Sequence, residues 1–264
     1  MTVAEKLTQI AENEQRVYDA GYERGRMEGG YDEGVADGRQ AAYDAFWDAL
    51  QDGGAPRDYS ATFGSAWTPE TFRPKHDIVP TNAYMMFRQS MMQIDLAEHL
   101  AKTGVALDTS RCQNCQYMFS FARFTRIGVI DLSSVTNAIP GDALFSNCTQ
   151  LVTVDKIILK TGERGELGAT CFSACSRLED LELEGNLTTD VDLHWSVALS
   201  RSSIESVYYA ALGGSMDHGA YPTLTFSLSA VNAAYESAAG ANDGSESAAW
   251  QALVDQAPFT ISLI

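Results

Sequence analysis

Five cysteines, four histidines and a surplus of acids are the residue types in this chain with the most chemistry to offer. Cys112-Gln-Asn-Cys115 is a C-x-x-C, a spacing at which two thiolates can share a metal ion or exchange a disulfide. Cys171 and Cys175 add a second pair. A structural zinc site needs four such ligands converging tetrahedrally. No second C-x-x-C is present, and Cys175 is claimed by the interior of a sequence repeat, so no metal is expected. A thioredoxin-like βαβ context around Cys112 is also missing. The spacing leaves Cys112 and Cys115 free, paired or metal-bound. His76, His99, His194 and His218 occupy unrelated contexts, none of them an H-E-x-x-H. Neither a G-x-S-x-G nor a phosphate-loop lysine motif occurs, and the glycine-rich run 162–168 reads as a loop. Glu179-Asp180 with Glu182 could supply a glycosidase pair, but 35 acids make such neighbours expected by chance. The chain therefore reads as a binding protein and not an enzyme, with no catalytic residue and no cofactor.

Charge narrows the partners. Thirty-five acids against 18 bases give a formal charge of −17, which repels nucleic acid and anionic lipid, so neither nucleic acid nor membrane is expected. No apolar run approaches the roughly 20 residues that cross a bilayer. The opening MTVAEKLTQIAENEQR lacks the basic-flanked apolar core of a secretory signal, so the expectation is synthesis in a cytoplasm. Five cysteines in a long chain do not form a disulfide framework.

Binding residues need elements to position them. Residues 2 to about 28 read as a helix, with Val3, Leu7, Ile10 and Val17 on a spacing of four and three that suits a coiled coil. That seam predicts a homo-oligomer; the alternative is one amphipathic helix lying on the rest of the protein. Glycines recur at 21, 25, 29 and at 30, 34, 38, either as a groove for close helix contact or as a flexible linker. A second helix is expected over Ala41–Gln51, with Tyr43, Phe46, Trp47 and Leu50 on one face. Residues 1–54 thus form a helical attachment or oligomerisation region. Residues 55–85 form a proline-rich entry segment and N-terminal cap.

Over 86–210 the sequence repeats. FSNCTQL begins at Phe145 and FSACSRL at Phe172, 27 residues on. Phe145, Cys148, Leu151, Val154, Ile157 and Leu159 are echoed by Phe172, Cys175, Leu178, Leu181 and Leu183. Earlier they are echoed by Met118, Phe121, Phe124, Ile127, Ile130 and Leu132. A shorter fourth copy is carried by Ile204, Val207 and Tyr209, and a degenerate early one by Met85–Leu96. A strand as short as L-x-x-L-x-L cannot bury its apolar side alone, so the period predicts stacked coils sharing one interior. The fold class expected is α/β: a short leucine-rich-repeat solenoid with N-terminal helices and an α/β cap over 211–264. In the cap, Leu224, Phe226 and Leu228 lie on one face of a strand, two helices cover Ala230–Ala239 and Ser245–Gln256, and Phe259–Ile264 is a terminal strand. The strand phase puts Thr125, Arg126, Thr153, Asp155, Glu179, Asp180, Glu182, Glu205, Ser206 and Tyr208 on an exposed face. Such a row of acids, hydroxyls and tyrosine suits a sugar or a basic protein surface.

Two resemblances bear on function. Phe145-Ser-Asn-Cys148-Thr-Gln-Leu151 and Phe172-Ser-Ala-Cys175-Ser-Arg-Leu178 resemble the aromatic-x-x-Cys-x-x-Leu unit of BspA-like leucine-rich repeats. The order NEQRVYDAG, AAYDAFWDALQ, FRPKHDIVPTNAYMMF, GVALDTS and then the repeats is similar to proteins encoded by phages and prophages of gut Firmicutes, among tail and other virion genes. The most specific pieces are Phe72–Ile78 and Asn82–Phe87. This resemblance implies a non-enzymatic virion protein, a tail fibre, receptor-binding or decoration protein, made in the bacterial host cytoplasm. Its implied partners are other virion proteins and a host-surface protein or glycan. The alternatives are a BspA-like surface adhesin and, from the glycine-spaced helix, an intracellular helical scaffold or chaperone.

Overall fold

Rings that recur along the sequence meet in space. In the computed structural model, which describes residues 47, 54–64, 67–135, 143–160, 167–219, 221–239 and 248–264, Phe145 stacks on Phe172 with centroids 5.5 Å apart. Phe119 stacks on Phe145 at 5.5 Å and Phe87 on Phe119 at 5.4 Å, both nearly coplanar at 7° and 4°. The column continues through Phe63 to Trp47, at 5.2 and 5.5 Å. Every ring in it is fully buried. It runs across the expected boundary at 85/86 and takes in Trp47, the one described residue of the expected second helix.

Backbone bonds hold the column in register. Ala61 N–H donates to Tyr84 O, Phe63 to Met86 O, Phe87 to Met118 O, Phe119 to Leu144 O and Phe145 to Cys171 O. The Phe87, Phe119, Phe145 and Phe172 layers each turn through a residue in the left-handed region two places after the ring: Gln89, Phe121, Asn147 and Ala174 have φ between 58° and 62°. This conformation costs a residue with a Cβ roughly 1–2 kcal/mol, and the cross-layer bonds hold it. Three places after the ring come Cys148 and Cys175, whose thiols donate to the carbonyls of Phe119 and Phe145, at 2.9 and 3.1 Å. In the segment that follows, the Ser196 hydroxyl donates to Cys175 O.

Parallel strands follow the rings. β1 (Arg57–Asp58) pairs with β2 (Pro80–Asn82). β3 (Arg126–Asp131), β4 (Thr153–Ile158) and β5 (Asp180–Glu184) form a second sheet in that order. Arg126 aligns with Thr153 and Thr153 with Asp180, so the 27-residue spacing is the strand register. β6 (Val191–Leu193), β7 (Thr223–Phe226) and β8 (Thr260–Leu263) form a third. Among the described residues the helices are α1 (Leu96–Thr103), α2 (Arg201–His218), α3 (Leu228–Ala239) and α4 (Ala248–Gln256).

The leucine-rich-repeat solenoid expected over 86–210 is overturned by this arrangement. The structure is α/β with three small, separate parallel sheets and helices. The expected fourth coil is the N-terminal half of α2: Ile204 and Val207 are buried on a helix, not a strand. A spacing of three fits one helical face as well as it fits L-x-x-L, and Ser200 as N-cap selects the helix. Tyr209, expected inside, is 58% exposed, whereas Tyr208, expected outside, is buried. Phe121 likewise does not take the cysteine slot. Phe119 aligns with Phe145, Ala122 fills the slot, and Phe121 points outward, 47% exposed. Leu228 starts α3 and is exposed, so it does not extend the face of Leu224 and Phe226.

Helix α2 closes the edge of β5. Ser203 Oγ accepts the Leu181 N–H and Ser206 Oγ the Leu183 N–H, both at 2.8 Å. The same hydroxyls donate to Glu179 O and Leu183 O, at 3.2 and 3.3 Å. Two serines one helical turn apart therefore stand in for a fourth strand, satisfying groups that an open edge would leave bare. Ser203→Ala strands a buried donor and is expected to lower unfolding free energy by about 1–3 kcal/mol. Ser206 is half-buried, so water can replace its hydroxyl and Ser206→Ala should cost less; urea titration of both variants checks the order.

Candidate functional site

Bulged strands bring charge to one surface. β4 carries two residues, Asp155 and Lys156, between its buried Val154 and Ile157, where β5 has only Glu182 between Leu181 and Leu183. The extra residue leaves both charges outward. Asp155 takes a bidentate pair from Arg126 of β3, Nε to Oδ1 at 2.7 Å and Nη2 to Oδ2 at 3.0 Å. Lys156 Nζ bridges Glu182 at 2.9 Å and Glu184 at 2.8 Å on β5. The Asp155 carboxylate raises the Arg126 pKa, and Glu184 and then Glu182 raise that of Lys156. These pairs are open to solvent, so they set geometry more than stability.

Beside these pairs lies an open groove of about 380 Å³ between β4, β5 and the first turns of α2. Thr153, Asp155, Asp180 and Glu182 line it from the sheet, and Ser202, Ser203 and Ser206 from the helix. Asp180 has no hydrogen bond or ion pair to its carboxylate among the described residues and is exposed. The groove therefore offers one unneutralised carboxylate, two held by cations, and several hydroxyls. Such a set accepts hydrogen bonds from ammonium, guanidinium or sugar hydroxyl groups.

Of the ten residues expected on the face, Thr153, Asp155, Asp180, Glu182 and Ser206 converge on this groove. Arg126 borders it through Asp155, and Thr125 lies just before β3 with its carbonyl bonded to Val152 and Thr153. Glu179 is exposed but lies off the groove lining. Glu205 belongs to α2 and pairs with Arg201 at 2.7 Å, and Arg201 covers the Tyr235 ring at 4.7 Å. Tyr208 is removed from the face altogether: it is buried and donates to Leu253 O at 3.0 Å. Ser202 and Ser203 were not anticipated. The N-cap pattern Ser200-x-x-Ser203 ahead of a run of helix formers was the available signal. Val3, Leu7, Ile10 and Val17 lie outside the described residues.

No family model, curated protein or solved structure matches the chain. The groove's own geometry is therefore the basis for its chemistry.

Among the described residues no three His, Cys, Asp or Glu side chains are placed to hold a metal ion, and no helix is long and apolar enough to cross a membrane. His99 Nε2 donates to the main-chain Phe72 O at 2.7 Å, and His194 faces Asp192 at 2.6 Å. All five cysteines are buried and unpaired by disulfide. Burial pushes the Cys148 thiol well up and that of Cys175 up to about 12, so both remain protonated packing groups.

Proposed function

We propose that this chain is a non-enzymatic binding component of a phage particle, a fibre, receptor-binding or decoration protein. Its body presents the β4–β5–α2 groove to a cationic or hydroxyl-rich partner on a host surface or on the virion. The groove carries the reading. It gathers carboxylates and hydroxyls at one rigid surface, where the sheet fixes Asp155, Asp180 and Glu182, and the edge-closing helix fixes the serines. The likeness of the chain's segment order to phage tail-region proteins supports the virion setting.

Two measurements test this. Mass spectrometry of gradient-purified particles from the strain encoding the chain should find it in fixed ratio to the major virion proteins; its absence removes the virion reading. Asp180→Asn with Glu182→Gln should reduce retention of labelled protein on host cells or purified particles about tenfold, with binding that weakens as salt rises. The melting temperature should stay within about 1 °C, because both side chains are exposed. Undiminished retention by a folded double variant would dismiss the groove.

A further inference from the structure

Two sheet edges are finished differently. At β5 the hydroxyls of Ser203 and Ser206 take up outward main-chain groups. β8 has β7 as its one neighbouring strand, and no side chain among the described residues does for its other edge what those serines do for β5. Ile264 turns both its main-chain groups to the β7 side: its N–H donates to Phe226 O at 3.1 Å and its carbonyl accepts from Leu228 N–H at 3.0 Å. Pairing in a parallel ladder alternates, so Thr260 and Ser262 face β7 in the same way, while Ile261 and Leu263 point their N–H and C=O outward. Open edges are commonly blunted by a charge, a proline or a bulge. Thr260–Leu263 carries none of these. Its surroundings are equally bare of charge. No residue of 219–235 or of 256–264 is charged, in a chain with 20% charged residues and a formal charge of −17. Those two segments supply β7, β8 and the first turns of α3, and they hold the exposed Tyr221, Leu228 and Ile264.

We propose that the outer edge of β8 is a self-association surface, pairing antiparallel with β8 of a second copy about a twofold axis at Ser262. The register follows from the geometry, because outward groups must meet outward groups. Centring on Ser262 is the register that pairs both outward residues and calls on none before the strand. Ile261 then lies opposite Leu263 of the second copy and exchanges two hydrogen bonds with it, and the twofold repeats the pair to give four. Ser262 sits opposite its own counterpart at a non-hydrogen-bonded position, where Cα atoms approach to about 4.5 Å. The choice of a second copy rests on charge. A twofold contact on this axis places like against like, so on a chain of −17 it forms best where no charge stands, and the β8 edge is such a place. A cationic partner has nothing to pair with here and is served instead by the carboxylates of the β4–β5–α2 groove. One strand and its flanking side chains bury less than the roughly 1,200 Å² of a standard stable interface, so the dimer is reversible, with a Kd on the order of 10–100 μM.

Sedimentation equilibrium of the full chain at about 5–500 μM should show the mass rising from one copy toward two. The Kd should fall as salt screens the repulsion between two acidic copies, the opposite sign to the salt response expected of the groove. Ser262→Lys sets two ammonium groups against each other and should raise the Kd at least tenfold. Because Ser262 is half-buried, a pair of cysteine variants keeps the test decisive if that protein does not fold. Ser262→Cys brings its sulfur within disulfide reach of its counterpart, so mild oxidation should link two chains. Thr260→Cys lies opposite Ile264 of the second copy and should link at least tenfold more slowly. The five native thiols are buried, and a non-reducing gel reads both variants. A chain that stays a single copy at about 500 μM overturns the proposal, whether the edge is bare or covered by another segment of the chain. A Ser262→Lys protein that associates as well as the parent also overturns it and puts the contact elsewhere, for instance at the Val3–Val17 seam. Equal cross-linking of the two cysteine variants would do the same.

Discussion

Gly214→Ala should destabilise the protein by about 3 kcal/mol or more, the reverse of what the substitution does in an ordinary helix. Replacing a glycine inside a helix by alanine normally gains about 1 kcal/mol. Here the chain leaving β5 crosses α2 so closely that a Cβ on Gly214 would fall on the carbonyl oxygen of Leu187 and lie 2.8 Å from its carbon. Backbone cannot rotate out of the way, so the helix must move, and Ser203 and Ser206 move with it. Gly213 provides the internal control. Its added Cβ would meet the Asn186 side-chain oxygen at 2.5 Å, and that amide can turn at the loss of its bond to Asp217. Gly213→Ala should therefore be much milder. Gly104→Ala should cost about 1 kcal/mol from its φ of 74° alone, since nothing lies within 4 Å. Urea denaturation of the three variants ranks them, and a Gly214→Ala protein as stable as Gly104→Ala would refute the close crossing.

Phe145→Ala should cost about 3–5 kcal/mol, the range for removing a large buried aromatic and leaving its cavity. The ring is the middle one of the column's last three members, in contact with Phe119 on one side and Phe172 on the other. Its loss removes both stacking contacts, and the layers cannot close up because the strand register and the cross-layer hydrogen bonds fix their spacing. Phe121 is the matched control in the neighbouring turn. It is 47% exposed and has a φ of 61°, so Phe121→Ala should change stability by less than about 0.5 kcal/mol. Phe121→Gly should be neutral to stabilising, because glycine takes the left-handed turn without strain. Equal costs for Phe145→Ala and Phe121→Ala would show that the column does not bear the stability assigned to it.

Two rings of the column and the buried face of the second sheet were readable in advance. Phe145 and Phe172, Cys148 and Cys175, and the buried positions of β3, β4 and β5 follow from an apolar spacing that repeats, because equivalent positions stacked on one another must all shed water. The exposed carboxylates of the groove follow from the same phase. What the periodicity left undecided begins at Gly185. Ile204-x-x-Val207 satisfies a strand and a helix alike, and the choice was made by the Ser200 cap and by an unprotected strand edge that two serines could close. The one-residue difference between Phe119–Phe124 and Phe145–Leu151 was hidden for a related reason. Two apolar residues side by side, Met118 and Phe119, give the pattern two possible registers, and only cross-layer bonding picks one. The separation into three sheets and the burial of Tyr208 lie at a further remove. They depend on which surfaces meet after the chain has turned, and local spacing does not carry that information.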